Sequence, residues 1–186
     1  MDIRIAVTGL GWVTPIGAGR EEVWEGLLSG RSGFAPVESF DTRLFNSHLG
    51  AEVRGFHPEP YARRQDPAAL GRASLLAIAA ARMALEDAGI EPGQDPSWRP
   101  ERAGVAMGTT SGEPLEVEKL DDLLLAGESA KVGPEFISNY PCHQIATPVA
   151  REFGLAGVNV MIPAACAAAT TLWAMPWTRC VPAGPT

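Results

Sequence analysis

Cysteine and histidine are both scarce in this 186-residue chain, with three of each. Cys142, Cys166 and Cys180 are odd in number and show no CxxC spacing, which excludes a disulfide framework and a four-ligand zinc site. His48, His57 and His143 are scattered without metal spacing. Basic charge is also short: 15 Lys and Arg stand against 22 Asp and Glu, a net charge of −7. That balance argues against a nucleic-acid binder, which would show a basic face, and against a polybasic membrane contact. No apolar run is long enough to span a bilayer. The opening Met1-Asp2-Ile3-Arg4-Ile5-Ala6-Val7 reads as an acidic-then-apolar strand rather than a signal peptide. These absences predict a cytoplasmic protein that uses neither a metal nor another cofactor and binds neither nucleic acid nor membrane.

What is present suits one ordinary domain with its own core, since 46% of the residues are hydrophobic and 20% charged. A β-rich run at 3–8 stops at Gly9-Leu10-Gly11. From Arg20 to Leu28 the residues Val23, Trp24, Leu27 and Leu28 fall at helical spacing behind a first turn of acids. Residues 51–55 alternate apolar and charged side chains and predict an edge strand. The strongest helix signal covers 66–89, with Asp66 as N-cap, Pro67 in the first helical position, many alanines for close packing, and Gly89 at the end. Residues 102–108 read as a buried strand. Residues 113–127 read as an amphipathic helix with Leu120, Leu123 and Leu124 inward and its acids on a solvated face. A short helix at 144–153 and a strand at 158–162 follow, and Pro163-Ala164-Ala165-Cys166 forms a sharp turn into an alanine-rich segment. Strands and helices alternate, which predicts a layered α/β fold. No internal repeat of fixed short period is present.

Two motifs invite a chemical reading. Gly9-Leu10-Gly11-Trp12-Val13-Thr14 follows a strand, but Thr14 stands where a dinucleotide loop needs its third glycine, and Pro15 delays any helix. A tight turn is the better reading. Cys166 is delivered by a strand into the start of a helix, among the small residues Ala164, Ala165, Ala167 and Ala168. A cysteine there meets the positive end of the helix dipole and free backbone N–H groups, which favour the nucleophilic thiolate, and small neighbours leave room for a substrate. Position alone leaves a second reading open, a buried core cysteine. Cys142 and His143 are adjacent in sequence and so point in different directions, which suits them poorly as a catalytic dyad.

The ordered set of motifs resembles a known family. Val7-Thr8-Gly9-Leu10-Gly11 with Pro15 and Gly17, the Trp24–Leu28 segment followed by Gly30-Arg31-Ser32-Gly33, and Phe40-Asp41 are similar to the start of bacterial β-ketoacyl-acyl-carrier-protein synthases. Ala84-Leu85-Glu86-Asp87-Ala88-Gly89, the strand Gly104–Gly108 with Thr109–Gly112, and Ala165-Cys166-Ala167 after a Val-Asn-Val strand continue the resemblance to about residue 168. It implies an α/β, thiolase-like layered fold of which this chain is the N-terminal half. It implies acyltransferase chemistry in fatty-acid or polyketide biosynthesis: Cys166 takes an acyl group as a thioester, its backbone N–H serving as oxyanion donor, and a malonyl carrier-protein thioester then decarboxylates and attacks that acyl group. The implied partners are acyl carrier protein with its acyl and malonyl thioesters, and a second copy joined near Val158, Asn159, Val160, Met161 and Ile162. Two departures stand out. Ala164 occupies a position that is often Thr in the family. The two histidines and the lysine that serve decarboxylation in the family come from the second half, and none of His48, His57 or His143 matches them.

After Ala168 the composition changes, with two of the five tryptophans and Pro176, Pro182 and Pro185 in the last eighteen residues. Relatives continue with a long helix of the type Gly-Asn-Tyr-Ala-x-Gly-Tyr-Ala-Leu-Asp, which those prolines would break. Codons can be chosen that encode such a helix in frame and, after loss of a single nucleotide, encode every residue from Ala169 to Thr186 followed by a stop. The expectation is therefore a ketosynthase half over 1–168 and an out-of-frame tail over 169–186. The alternative function is that of a truncated, non-catalytic fragment acting, if at all, as an interaction partner.

Overall fold

The computed structural model describes residues 6–94, 98–141 and 144–174. Residues 3–5 of the expected first strand, the Cys142-His143 pair, and Cys180 with the tail beyond 174 lie outside the described residues. The chain divides into two compact units, one of Met1–Tyr61 and Ala79–Glu91, the other of Ala62–Ile78 and Pro92–Thr186.

In the first unit, β1 (Val13–Thr14) pairs antiparallel with β2 (Gly17–Ala18), and β3 (Phe34–Pro36) with β4 (Leu49–Ala51). Helix α1 (Arg20–Leu28) has the predicted bounds. Glu22 in its first turn accepts a hydrogen bond from the Ala18 amide at 2.8 Å. Only Val23 and Gly26 of α1 are buried, while Trp24, Leu27 and Leu28, on one face at i, i+3 and i+4, are exposed. The edge strand expected at 51–55 is displaced, and pairing ends at Ala51. Beyond it side chains replace the ladder: Glu52 accepts from the Glu38 and Ser39 amides at 3.0 and 3.1 Å, and Arg54 donates to the Pro36 carbonyl.

Residues 6–8, the described part of the strand expected at 3–8, form no strand. The turn that follows, Gly9-Leu10-Gly11, lies on the alanine-rich helix α2 (Arg72–Asp87). A methyl group at Gly9 or Gly11 would come within 2.0 Å of the Ala84 or Ala80 carbonyl oxygen, so the two glycines exist for close approach. Asp87 fastens this contact, accepting from the Leu10 amide at 3.0 Å and pairing with Arg20 at 2.7 Å. Gly89 ends the helix as predicted, with φ 67°, while the amide of Ile90 donates to Leu85 O.

The second unit is organised by a parallel pair, β5 (Val105–Gly108) beside β6 (Asn159–Ile162), in register from Val105–Asn159 to Gly108–Ile162. Parallel strands need a crossover and cover for their faces. The connection carries α3 (Pro114–Leu125), α4 (Pro134–Asn139) and α5 (Ala146–Phe153). Helices α5 and α6 (Ala168–Ala174) pack on the pair, with Val105, Val149, Phe153, Ile162 and Ala168 buried.

Buried carboxylates overturn two expectations in this unit. Residues 66–89 are not one helix. Asp66 caps a single 3-10 turn, Pro67–Ala69, accepting from the Ala68 amide at 3.0 Å, and the chain is extended at Leu70 before α2 begins. The amino end of α2 has a remote cap instead. Glu113, 2% exposed, accepts from the amides of Ala73 and Ser74 at 3.0 and 2.7 Å and from the Ser74 hydroxyl at 2.8 Å. Gly71 admits that carboxylate, since a Cβ there would stand 2.1 Å from it. Glu113 is thus no part of a solvated face, and neither is Glu116, which is buried and pairs with Lys119 at 2.5 Å. Leu120 and Leu123 are half-buried as predicted, but Leu124 is exposed. On α5, Glu152 is 1% exposed and accepts from the amides of Arg63 and Arg64 at 2.7 and 3.1 Å. Glu113 and Glu152 are tolerated inside because backbone donors replace the water they lose, and Glu116 because the Lys119 ammonium does.

Two outcomes follow. Glu113→Ala strands the donors of Ala73 and Ser74 and should lower stability by about 2–4 kcal/mol in urea denaturation, and Glu113→Gln, which keeps an acceptor, by about half of that. Gly71→Ala should be as damaging alone, yet add little on top of Glu113→Ala, because both remove the same contact. In the first unit, the Glu52 carboxyl is held down to about 2, from an ordinary 4.5, by the Ser39 side chain and the Glu38 amide. A lowered folded-state value means that this stabilisation is complete above pH 4.5 and is lost as pH falls toward 2. Ser39→Ala should move the Glu52 titration, followed by carbon-13 NMR, upward.

Candidate functional site

The carboxyl ends of β5 and β6 lie together, because Gly108 is in register with Ile162. In open parallel α/β sheets this edge is where ligands bind. Two segments leave from it: 109–113 after β5 and 163–167 after β6. The second carries Cys166.

The geometry of that turn is specific. Ala164 ends the extended run at φ −116°, ψ 25°, and Ala165–Ala167 form one 3-10 turn that passes directly into α6. Its first hydrogen bonds are donated by Ala167 to Ala164 O at 3.0 Å and by Ala168 to Ala165 O. The amides of Ala165 and Cys166 precede these bonds, so they are the donors that a helix start leaves over. Ala165 has φ 48°, the one non-glycine residue with positive φ among those described. Alanine in that region carries strain and needs its surroundings to hold it there. The holding contacts come from Ala168, three residues on, which is buried beneath Gly108 of β5. Further along, the Thr171 hydroxyl donates to Ala167 O at 2.9 Å.

Cys166 itself is exposed and has no disulfide partner. The buried-cysteine alternative is thereby removed: the sulfur stands at a strand-to-helix junction, open to solvent, with alanines on either side. No hydrogen bond or ion pair reaches Cys166 among the described residues. His48 and His57 belong to the first unit and are exposed, His48 lying 3.0 Å from the Thr42 hydroxyl. No group of three or more His, Cys, Asp or Glu is arranged for a metal ion among the described residues. No helix among them is long and apolar enough to cross a membrane.

The first unit has a cleft of about 580 Å³ that Thr14, Glu22, Arg31, Glu52, Arg54 and His57 help to line, and Cys166 is not part of it. Its charges are satisfied locally. Arg31 binds Ile16 O at 2.8 Å and Glu22 at 3.7 Å, and Arg54 pairs with Glu52 at 3.2 Å and Glu38 at 3.5 Å. The sharp turn that carries Cys166 was legible in the sequence, but the left-handed Ala165 was not, since alanine gives no sign of such a conformation. The glycine at the end of β5 was a usable sign that backbone passes close there.

Comparisons with known proteins bear on the family and the fold. The profile described as "Beta-ketoacyl synthase, N-terminal domain" matches residues 2–177. The 3-oxoacyl-acyl-carrier-protein synthase 2 of Vibrio cholerae is 34% identical over 163 residues, covering 88% of this chain and 39% of its own length. Among solved structures, the ishigamide ketosynthase/chain length factor superposes with a TM-score of 0.74 at 33% identity, over 84% of this chain and 38% of that one. A β-ketoacyl synthase from Burkholderia phymatum superposes with a TM-score of 0.75 at 27% identity, over 93% and 42%. The chain thus spans about two fifths of the length of these relatives, 39% of the Vibrio protein. With the thiolase-like ketosynthase fold and the family profile in agreement, the chain belongs to the β-ketoacyl synthase family, over the N-terminal domain of that family.

Proposed function

We propose that Cys166 is the acyl-accepting nucleophile of a β-ketoacyl-acyl-carrier-protein synthase that acts in fatty-acid or polyketide biosynthesis. The observation that carries the proposal is the exposed sulfur on a strained turn at the junction of β6 and α6. The thiolate attacks the carbonyl carbon of an acyl thioester. The oxyanion that forms lies within reach of the leftover amide of Cys166, and its collapse expels the carrier thiol, which takes up a proton. Condensation follows in the complete fold: a malonyl thioester loses carbon dioxide, its carbanion attacks the acyl carbon, and the Cys166 thiolate is released. No hydrogen bond or ion pair ties an acid or base group to Cys166 among the described residues. The chain alone is therefore expected to stop at the acyl-enzyme.

Three finer readings go with this one. Acyl carrier protein is the natural donor, as the name of the Vibrio relative suggests. A second copy pairs along the outer edge of β6, where β5 takes one side and Val158 and Asn159 are exposed. The site of action is cytoplasmic. We also infer that residues 169–186 arise from a shifted reading frame, on the composition given above, although the family profile runs past 168 to residue 177. Resequencing the locus is the check: an intact gene that still encodes Trp173 and Trp177 ends that idea.

The second functional reading is a non-catalytic fragment, favoured by the lack of an acid or base group tied to Cys166 among the described residues. Mass spectrometry after incubation with acyl-carrier-protein thioesters separates the two. Acyl mass on Cys166, absent in Cys166→Ala and without β-ketoacyl product, supports the nucleophile, and an unmodified Cys166 supports the inert fragment. Ala165→Val should lower stability by about 1–3 kcal/mol, because a branched residue fits the left-handed region worse than alanine, and should slow acylation about tenfold.

A further inference from the structure

We propose that Gly108 is a positioning residue for Cys166: the bare backbone at the end of β5 is the seat on which α6 rests, and it sets where the nucleophile stands. The inference rests on the acyl-transfer reading of Cys166. Gly108 touches the nucleophile segment from both of its ends. On one side it is paired in register with Ile162, the last residue of β6. On the other it faces the first turn of α6. A Cβ at position 108 would lie 2.6 Å from the Ala168 Cβ, 3.3 Å from the Ala168 carbonyl carbon and 3.1 Å from the Leu172 Cδ1. Leucine can rotate away. Ala168 has no side-chain freedom and is buried, so the helix backbone itself must move.

The movement has one place to go. Ile162 is fixed by strand pairing, and α6 shifts as a rigid element, so the displacement falls on 163–167. That turn already contains Ala165 at φ 48°, a conformation kept in place by its surroundings. Lifting α6 therefore alters the turn that holds Cys166 and its amide. Acyl transfer needs the Sγ–carbon bond to form while the leaving thiolate departs and the oxyanion meets that amide, all in one geometry. Simple alkylation needs only an accessible sulfur. The ratio of the two rates reports position rather than folding.

The test uses the full-length chain and two probes, a hexanoyl-pantetheine thioester and iodoacetamide, each read on the Cys166 peptide by mass spectrometry. Gly108→Ala should slow acylation by about tenfold, with alkylation within about twofold of wild type. Adding Ala168→Gly removes the clashing methyl, and G108A/A168G should return acylation to within about threefold of wild type. Gly108→Ala that acylates at the wild-type rate overturns the inference. So does a folded double variant, judged by circular dichroism, that acylates at less than about a tenth of it. If G108A alone does not fold, the double variant carries the test on the same thresholds. A wild-type Cys166 that alkylates but never acylates overturns the nucleophile reading instead, and the inference with it.

Discussion

The pairing of β5 with β6 is the constraint on which the rest depends. Parallel strands bring their carboxyl ends to one edge, and the register from Val105–Asn159 to Gly108–Ile162 fixes that edge to the residue. The strands are far apart in sequence, and most of the second unit is the crossover that lets them meet. Loop closure of this length is entropically costly, so the pair must be secured by burial on its faces. Val105 and Ile162 within the strands, with Val149 and Phe153 on α5 and Ala168 on α6, supply that burial. A shift of one residue in register would exchange the faces of β6 and carry Ile162 away from the core, moving the cysteine turn with it. The placement of the cysteine turn and fold stability are in this sense the same constraint.

Around this pair the second unit uses buried carboxylates as fasteners for backbone. Glu152 gathers the amides of Arg63 and Arg64, and Glu113 gathers those at the start of α2. An ionised group in the interior is costly unless several donors surround it, which makes these contacts selective for one arrangement of the 62–78 segment. The first unit is held differently, by glycine-on-alanine approach and by the Asp87 contacts with Leu10 and Arg20. It also leaves Trp24, Leu27 and Leu28 of α1 in solvent, as well as Phe34 and Leu44.

Legibility in the sequence followed the range of the forces involved. Local signals were readable. The acids and spacing of α1, the glycine after α2, the β-rich runs before Gly108 and Pro163, and the small residues around Cys166 each report neighbours within a few positions. Long-range contacts were not. Asp66 looked like the cap of α2, but Glu113, some forty residues later, occupies that role and leaves Asp66 a short turn of its own. The acids of α3 looked solvated because nothing nearby in sequence shows that α2 needs one of them. The strand expected at 51–55 lost its ladder to the side chains of Glu52 and Arg54, whose targets lie back at 36–39. The family itself was visible, since it rests on the order of motifs and not on any single contact.

The left-handed Ala165 shows why the Cys166 turn sits where it does. An unstrained chain leaving β6 would run on past the sheet edge or curl at once into a helix, and in neither case would a residue two positions later face outward with its amide unspent. One residue in a disfavoured region redirects the chain and leaves the Cys166 amide outside the first hydrogen bond of the turn. The strain is sustained because Ala168 is locked beneath β5 and Ile162 is locked beside it, so relaxing Ala165 would unseat one of them. Glycine at 165 would adopt the same angle freely, but it would also let the turn move. Alanine at that position, held from both ends, keeps the sulfur and the unspent Cys166 amide in a fixed relation, the preorganisation that the proposed acyl transfer requires.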